Sequence, residues 1–539
     1  MSSALKRVLI VLAAAQFLMV LDQAVMNVSI SQLVEDFHTD VTTIQAVITF
    51  YSLVMAALMI TGGKLGDRWG RKRAFTIGMV IYAAGSALTA ASWTVGTLAL
   101  GWSVLEGIGA ALVLPAMVAL VATNFEGRAR AAAFGVLGGV AGAGIAVGPI
   151  LGGWMTTNLS WRLVFVGEVF VAIGILFGVR YLADEARDGP PTEIDWVGSL
   201  LSAAGLGIVV YGVLQSSSWG FLRPRNSPVE PLGFSLTPFV IGAGAILLVA
   251  FVRWQHHRER IGREPLVKLE HLKIPSLRSG LSMFLAQNLI MMGIFFTIPL
   301  YLQIVQGFDA FETGLRMLPV SVTLFLTATL APRLASRVSP RLVVRIGLGV
   351  LLVACFCILA VIDPNIDTGP FLAAMAVLGV GMGLLASQLG NVVQSSVDEA
   401  ARSEAGGLQF TAQQLGAALG TALMGAIVIG GLATSVANTI ESDARISDAT
   451  KQQASVQLEA GVPFIPASDV RVAADKAGLP PGETDAIVQA YEDSQLEALK
   501  AGLLFAAFVV LVSFLGPGSL PNRPMESDEP IDDAAAATG

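Results

Sequence analysis

Charged residues are scarce in this chain. Asp, Glu, Lys and Arg make up 14% of its 539 residues, whereas hydrophobic residues make up 54%. A soluble domain carries about 25% charged residues, so a set of soluble domains is excluded. The composition predicts an all-α polytopic membrane protein that lies in a lipid bilayer.

Residues that carry covalent or metal chemistry are also few. The two cysteines, Cys355 and Cys357, lie within one apolar run and are interpreted as packing residues, not as a redox pair. No G-x-x-x-x-G-K-S/T phosphate loop is present, which argues against an ATP-driven pump. The four histidines fall in predicted loops without metal-ligand spacing: His38, His256, His257 and His271. We therefore expect no enzyme, no metal site, no bound cofactor and no nucleic-acid partner.

What the chain has in abundance is long apolar segments. A bilayer core of about 30 Å needs about 20 mostly apolar residues in a helix. Fourteen candidates lie at about 8–30, 45–63, 74–92, 97–121, 131–156, 163–182, 196–215, 236–254, 281–303, 313–331, 342–362, 370–393, 405–432 and 500–517. The weakest are 196–215 and 236–254, and without them twelve would remain. Lys6 and Arg7 before the first segment resemble a secretory signal, but the apolar run continues to Ile30 and predicts an uncleaved helix.

Basic residues predict the orientation, because they favour cytoplasmic loops. Five follow the second segment: Lys64, Arg68, Arg71, Lys72 and Arg73. The segments at 31–43 and 363–370 contain no Lys or Arg. We predict a multi-pass protein of the cell membrane with both termini in the cytoplasm and the 433–499 loop outside.

The orientation can be tested by labelling single cysteines with an impermeant reagent. In a variant without Cys355 and Cys357, Ser455→Cys is expected to react from outside, because 455 lies in the outer loop. Lys72→Cys should react only after the cells are opened. The opposite labelling pattern would invert the topology.

The segments and loops divide the chain into five predicted parts. These are a six-helix bundle at 1–182, a linker with two extra spans at 183–254, a cytoplasmic loop at 255–280, a second six-helix bundle at 281–517 with the outer loop at 433–499, and a disordered acidic tail at 518–539. The basic stretches "GGKLGDRWGRKRAF" and "APRLASRVSPRLVV" occupy matching places in the two bundles. Such duplication suggests a secondary transporter with its substrate site between the bundles.

The stretch "GKLGDRWGRKR" resembles the signature loop of the major facilitator superfamily. Its glycines allow a tight turn, and its acid can pair with neighbouring bases. The matching residues are Gly63, Asp67, Arg68, Gly70, Arg71 and Lys72. A second match, in the fifth segment, has the spacing of the antiporter motif of that family: Gly135, Gly144, Gly148, Pro149 and Gly152. Small residues at this spacing let a facing helix approach, and proline bends the span.

Three further stretches resemble the fourteen-helix drug:proton antiporter branch of this family. They are "LDQAVMNVSI", "YLQIVQGFDAFETGLRMLP" and "GGLQFTAQQLGAALGTAL". The resemblance implies a major facilitator fold, with two six-helix bundles and two extra central helices. It also implies proton-coupled export of small amphipathic or cationic compounds by a monomer, driven by the proton gradient without a cofactor.

The sequence departs from that branch at its expected proton-transfer positions. In the fourth segment, Ser103 replaces the usual arginine and Glu106 replaces glutamine. After the fifth segment, Glu168 replaces asparagine and Phe170 replaces proline. The role of the family's arginine therefore cannot be transferred, and any proton pathway has to be rearranged.

Three carboxylates are candidates for proton and substrate coupling, because an acid at membrane depth is costly. Asp22 lies 14 residues, or roughly 21 Å, from the inner end of its segment, and Glu106 lies nine residues, or roughly 14 Å, from the outer end. These depths nearly coincide, and the fold that the resemblance implies places the first and fourth helices around one cavity. We therefore predict a coupled pair that holds a proton when empty and releases it when a cationic substrate arrives. Glu168 is predicted to be shallower and able to reach interfacial water. Each acid has a structural alternative, which is a hydrogen bond to a neighbouring helix for Asp22 and Glu106 and contact with interfacial water for Glu168.

Several amides are predicted to line a cavity or to join helices: Gln16, Asn27, Gln287, Asn288, Gln388, Asn391 and Gln413. Two functional alternatives stay open. An exporter of an endogenous lipid or secondary metabolite would have the same sequence features. A non-transporting membrane sensor of the same fold would be consistent with the Ser103 substitution.

Overall fold

The structure of the protein is a computed structural model. It describes residues 3–125, 127–183, 193–224, 227–335, 338–398, 401–448, 450–452 and 462–522. Within these ranges the secondary structure is helical, without a β-strand.

Fourteen helices in the described residues are long and apolar enough to cross a membrane, which agrees with the predicted number and with the all-α class. We number them α1 Ser3–Val28, α2 Val41–Trp69, α3 Arg71–Ala90, α4 Val95–Val121, α5 Ala133–Asn158, α6 Arg162–Tyr181, α7 Trp196–Trp219, α8 Thr237–Arg260, α9 Pro275–Val305, α10 Ala310–Ala331, α11 Pro340–Val361, α12 Thr368–Ser395, α13 Glu404–Ser442 and α14 Pro481–Ser519. Both weak segments form helices, α7 and α8.

The predicted outer loop is shorter than 433–499, because both flanking helices extend into it. α13 continues to Ser442, and α14 begins at Pro481, 19 residues before the predicted start. Within the loop, the helix Ala467–Lys476 packs against α14. The Tyr491 hydroxyl donates a hydrogen bond of 2.7 Å to the carbonyl oxygen of Pro463. Residues 449 and 453–461 lie outside the described ranges, as does the labelling position 455.

The carboxy-terminal tail also begins later than the predicted residue 518. Leu520 is fully buried, and its carbonyl oxygen accepts a hydrogen bond of 2.9 Å from the Arg341 guanidinium at the start of α11. Residues 523–539, which include most of the acidic stretch, lie outside the described ranges.

The helices form two halves that meet along two seams. α1 to α6 pack mainly on one another, as do α9 to α14. One seam lies between α5 and α10, and the other lies between α2 and α13. The contacts of both seams include the helix ends that the topology prediction places outside.

Small residues bring the backbones together at these seams. A Cβ atom at Gly153 of α5 would overlap the carbonyl oxygen of Ala310 in α10, and one at Gly314 would overlap that of Pro149. At the other seam, the Gln45 side chain donates a hydrogen bond of 2.7 Å to the carbonyl oxygen of Thr421. The two halves are therefore closed against each other at their predicted outer ends.

The extra helices α7 and α8 lie on one side of the molecule. α7 packs on both α2 and α13, with Val210 in contact with Leu53 and Ala418. α8 packs mainly on α7, and only 11% of its most apolar stretch is buried. The α5–α10 seam has instead a shallow apolar recess on the surface, lined by Val147, Ile150, Leu151, Trp154 and Phe311.

Candidate functional site

Three acidic side chains meet inside the first half of the molecule. Asp22 of α1, Glu106 of α4 and Glu168 of α6 each offer one carboxylate oxygen, and these oxygens lie within 4.8 Å of one another. The side chains are closed off, with exposed fractions of 0%, 0% and 2%. The structure therefore places Asp22 beside Glu106, as the two depth estimates predict, and adds Glu168. We call these three residues the carboxylate cluster.

The prediction that Glu168 reaches interfacial water is wrong. Its Oε2 atom accepts hydrogen bonds from the Tyr82 hydroxyl at 3.1 Å and from the Ser86 hydroxyl at 2.9 Å, both on α3. The prediction used depth alone, whereas the direction of the side chain decides what it contacts. Glu168 faces α3 and the bundle interior.

The start of α6 is fixed by a polar contact at the predicted outer face. The Trp161 indole and the Arg162 guanidinium each donate a hydrogen bond of 2.8 Å to Asp36 Oδ2, and Arg162 also donates to the carbonyl of Ser92. Partial burial raises the pKa of Asp36, but hydrogen bonds from Trp161, Gln32 and Arg162 outweigh this and hold it below its usual value. A lowered pKa means that the contact stabilises the fold at neutral pH and is lost only as the pH falls through that value. It therefore persists in neutral medium and holds the helix that carries Glu168.

The backbone around Glu106 is unusual. Residues Ala99–Glu106 of α4 are wound as a π-helix, a form that is rare and often found at functional sites. A Cβ atom at Gly85 of α3 would lie 2.7 Å from both the backbone nitrogen and Cγ of Glu106. The glycine thus lets α3 approach, and the Thr89 hydroxyl donates a hydrogen bond of 3.0 Å to Glu106 Oε1. The glycine is a signal in the sequence, whereas no local sequence pattern indicates the π-helix.

Sequence reasoning missed the main partner of Asp22. The Trp102 indole donates a hydrogen bond of 2.7 Å to Asp22 Oδ1, and its ring stacks on Tyr51 with the centroids 4.4 Å apart. Ser103, at the position of the family's arginine, donates instead to the carbonyl of Val47 in α2 at 2.8 Å. An aromatic next to the expected arginine position was the available signal.

The carboxylate cluster has no positive partner among the described side chains. None of the ion pairs of the described part includes Asp22, Glu106 or Glu168. Asp22 Oδ2, Glu106 Oε2 and Glu168 Oε1 are buried without a hydrogen-bond partner. Three ionised carboxylates so placed would be very costly, so the cluster has to take up cations. Protons can fill this role, and the oxygen spacing also suits a metal ion.

The signature loop is the turn between α2 and α3. Gly70 has φ of +97°, a backbone conformation that side-chain-bearing residues rarely adopt. Gly63, seven residues earlier and within α2, faces α4, where a Cβ atom would lie 3.6 Å from Pro115. Arg68 is exposed. The glycines therefore serve the turn and the packing of α2 on α4.

The charged residues of the loop tie the first half together at its predicted cytoplasmic face. The Arg71 guanidinium lies 3.8 Å from the Asp67 carboxylate and donates a hydrogen bond of 3.2 Å to the Thr123 hydroxyl beyond α4. The Lys72 ammonium donates one of 2.9 Å to the carbonyl of Leu182 after α6. The loop thus connects α2 and α3 to the ends of α4 and α6.

The glycines of the antiporter motif pack α5 on the helix that carries Asp22. Cβ atoms at Gly144, Gly148 and Gly152 would each press on side chains of α1, and that at Gly148 would overlap Ala24. Pro149 contacts α10 through its carbonyl group. By contrast, a Cβ atom at Gly135 would have no atom within 4 Å. The motif therefore joins the carboxylate cluster to the α5–α10 seam.

We expect Gly148→Leu to leave the protein inserted but reduce transport roughly tenfold or more, because overpacking costs about 1–3 kcal/mol. The added side chain separates α1 from α5, whose close approach is expected to be needed for alternating access. The matched control is Gly135→Leu, which meets open space and should retain transport. Substrate efflux from cells and gel filtration of the purified variants measure activity and folding. Equal transport by the two variants would show that the α1–α5 contact is not needed.

The predicted amides divide into different environments. Gln287 of α9 donates a hydrogen bond of 3.2 Å to the carbonyl of Met382 in α12, and is an interhelical contact. Asn27 and Asn288 donate to carbonyls of their own helices. Gln388, although buried, donates to the adjacent Ser387 hydroxyl. The other three are half-buried or exposed: Gln16, Gln413 and Asn391.

The match to a known family agrees with this architecture. The profile of the Major Facilitator Superfamily matches residues 12–421, more than half of the chain. The chain belongs to the major facilitator superfamily. Proteins of this family and fold are membrane transporters and not enzymes, so this chain is a multi-pass membrane transporter.

Several named relatives align with most of this chain. The puromycin resistance protein pur8 of Streptomyces alboniger is 32% identical over 451 residues, which are 82% of this chain and 85% of the relative. The drug efflux pump JefA of Mycobacterium tuberculosis is 30% identical, over 79% of this chain and 81% of the relative. The probable actinorhodin transporter of Streptomyces coelicolor is 29% identical, over 80% and 74% of the two chains.

Solved structures support the facilitator fold. A bacterial homolog of the human lysosomal transporter Spinster, in an inward-facing and unoccupied conformation, superposes with a TM-score of 0.59. The alignment covers 96% of this chain and 98% of that chain at 14% identity. At this identity the similarity shows the fold alone.

Proposed function

We propose that this facilitator is a proton-coupled exporter of small amphipathic or cationic compounds across the cell membrane. The observation that carries the proposal is the buried carboxylate cluster without a basic partner. A site of this kind binds cations and gives them up when a neighbouring charge or an opening changes its surroundings. The named relatives, which include a drug efflux pump, support the direction of transport.

The packing suggests how the site drives movement. Asp22 lies on α1, α1 packs on the glycines of α5, and α5 packs on α10 of the other half. A change of protonation at the cluster can therefore be transmitted from α1 to α5, and from α5 to the α5–α10 seam. In the proposed cycle, the cluster holds protons while the substrate site is empty and releases them when a cationic substrate arrives. A proton gradient across the membrane then supplies the free energy, without a nucleotide or a bound cofactor.

A secondary metabolite is the second candidate substrate. The names of two relatives, the probable actinorhodin transporter and the tetracenomycin C resistance and export protein of Streptomyces glaucescens, favour it. Both substrates require the same coupling, so the two candidates differ only in the compound.

The test uses the full chain in proteoliposomes with an imposed pH gradient. Puromycin and ethidium are the probes, and both are expected to accumulate when the lumen is acidic. A protonophore should abolish accumulation. Absence of transport for both probes and for a panel of polyketides would favour the non-transporting sensor, and accumulation that survives the protonophore would exclude proton coupling.

A further inference from the structure

We propose that Glu168 is a coupling residue and that the carboxylate cluster exchanges two protons per transport cycle, which makes export of a monovalent cation electrogenic. The transport part of this inference rests on the proposed function. The proton count of the cluster does not, because it can be measured without transport.

The first argument is the charge of the site. The helices packed around the cluster contribute Asp22 from α1, Tyr51 from α2, Tyr82 from α3, Glu106 from α4 and Glu168 from α6. No Lys, Arg or His of the described chain is paired with them. A single proton would leave two anions within 4.8 Å in a buried site, an arrangement that strongly favours a second proton.

The second argument is the pattern of hydrogen bonds. Each carboxylate has one oxygen that accepts from a neutral donor, namely Trp102 for Asp22, Thr89 for Glu106, and Tyr82 and Ser86 for Glu168. The second oxygen of each has no partner. Protonated Glu106 and Glu168 can each donate from that second oxygen, which leaves Asp22 as the one anion that accepts. Two protons therefore supply donors to a site in which three oxygens are otherwise without partners.

The third argument comes from a side chain outside the cluster. Tyr51 is 1% exposed, and its hydroxyl lies close to Asp22 without a hydrogen bond of good geometry. A buried hydroxyl without a partner is costly unless it is used. Next to a single remaining anion it serves as one more donor, and during exchange it can pass a proton to Asp22. It thus supplies a donor to the one anion that the two-proton state leaves.

The consequence is a net movement of charge. If two protons enter for each monovalent cation that leaves, one positive charge crosses the membrane inward per cycle. A membrane potential then drives export without a pH gradient. One charge per cycle makes the accumulation ratio rise about tenfold for each 60 mV or so of potential. Exchange of one proton for one cation would be independent of the potential.

The proton count is measured by infrared difference spectroscopy of the reconstituted full chain. A step from acidic to alkaline pH is expected to remove the carbonyl bands of two buried carboxylic acids in the wild type. In Glu168→Gln, which preserves the hydrogen bonds from Tyr82 and Ser86, the same pH step should remove one band. The control, Glu497→Gln, makes the same change at an exposed site on α14, and in this variant the pH step should remove two bands. Loss of the bands on addition of Na⁺ or Mn²⁺ at constant pH would identify a metal site and overturn the proposal.

The charge movement is measured in proteoliposomes with a potassium diffusion potential and no pH gradient. The wild type is expected to accumulate the monocation puromycin about tenfold more for each 60 mV or so of potential. Glu168→Gln should not respond to the potential, although a pH gradient should still drive its uptake of puromycin. Glu168→Asp keeps a titratable group and should respond to the potential. This variant replaces Glu168→Gln in the test if the glutamine variant does not fold. An unaltered response in Glu168→Gln overturns the inference. Absence of transport with two infrared bands contradicts the proposed function alone.

Discussion

Asp22→Asn is expected to abolish proton-driven transport, with a loss of at least about a hundredfold in the initial rate. Asparagine keeps an oxygen that can accept the hydrogen bond from Trp102, so packing should be retained. It cannot carry a negative charge, however, and in the proposed resting state Asp22 is the one anion of the cluster, beside which Glu106 and Glu168 hold their protons. The measurement is pH-gradient-driven uptake of puromycin into inverted vesicles.

The control for this variant is Asp40→Asn. Asp40 caps α2 by accepting a hydrogen bond from the backbone of Thr43, and asparagine caps helices equally well. Transport should therefore be unchanged. Exchange of labelled for unlabelled substrate across the membrane should survive in Asp22→Asn, because exchange needs no net proton movement. Uptake driven by the pH gradient in Asp22→Asn would show that Asp22 does not couple transport to protons.

Glu106→Gln is expected to reduce the transport of cationic compounds about tenfold and to make its pH dependence shallower. Glutamine is the usual family residue at this position, and it can still accept from Thr89. The number of titratable carboxyls in the cluster nevertheless falls from three to two, so fewer protons bind together. The measurement is the initial rate of puromycin uptake as a function of pH, with Glu497→Gln as the control.

A neutral compound provides the second arm of this experiment. Its transport should fall less than that of puromycin in Glu106→Gln, because no substrate charge has to be balanced at the cluster. An unchanged rate and pH profile for both compounds would make Glu106 a structural hydrogen-bonding residue and leave Asp22 to act alone.

The sequence was sufficient for features that depend on position along a helix. Hydropathy located the fourteen helices, and a constant rise per residue placed Asp22 and Glu106 at similar depth. Counting could not supply the direction of a side chain. Glu168 illustrates this limit, because its depth was compatible with water at the interface while its bonds to Tyr82 and Ser86 turn it inward.

Other features of the site depend on contacts between distant segments. Trp102 is bonded to Asp22 across 80 positions of sequence, and no local pattern predicts such a pair. The π-helix at Ala99–Glu106 changes the face on which Glu106 lies, yet its residues have ordinary helical preferences. The extension of α14 to Pro481 was missed for another reason: its first turns are polar, so a hydropathy threshold places the start of the helix too late.

Because of the position of α7 and α8, the two seams between the halves differ in their exposure to lipid. These helices cover the α2–α13 seam, whereas the α5–α10 seam carries the apolar recess lined by Trp154 and Phe311. Compounds dissolved in the bilayer therefore meet the junction of the two halves from one flank only. That flank is also where the glycines of α5 connect to α1 and Asp22. For an exporter of lipophilic compounds, the lipid composition next to this flank would affect the transport rate. At the opposite flank, α7 and α8 separate the seam from the lipid.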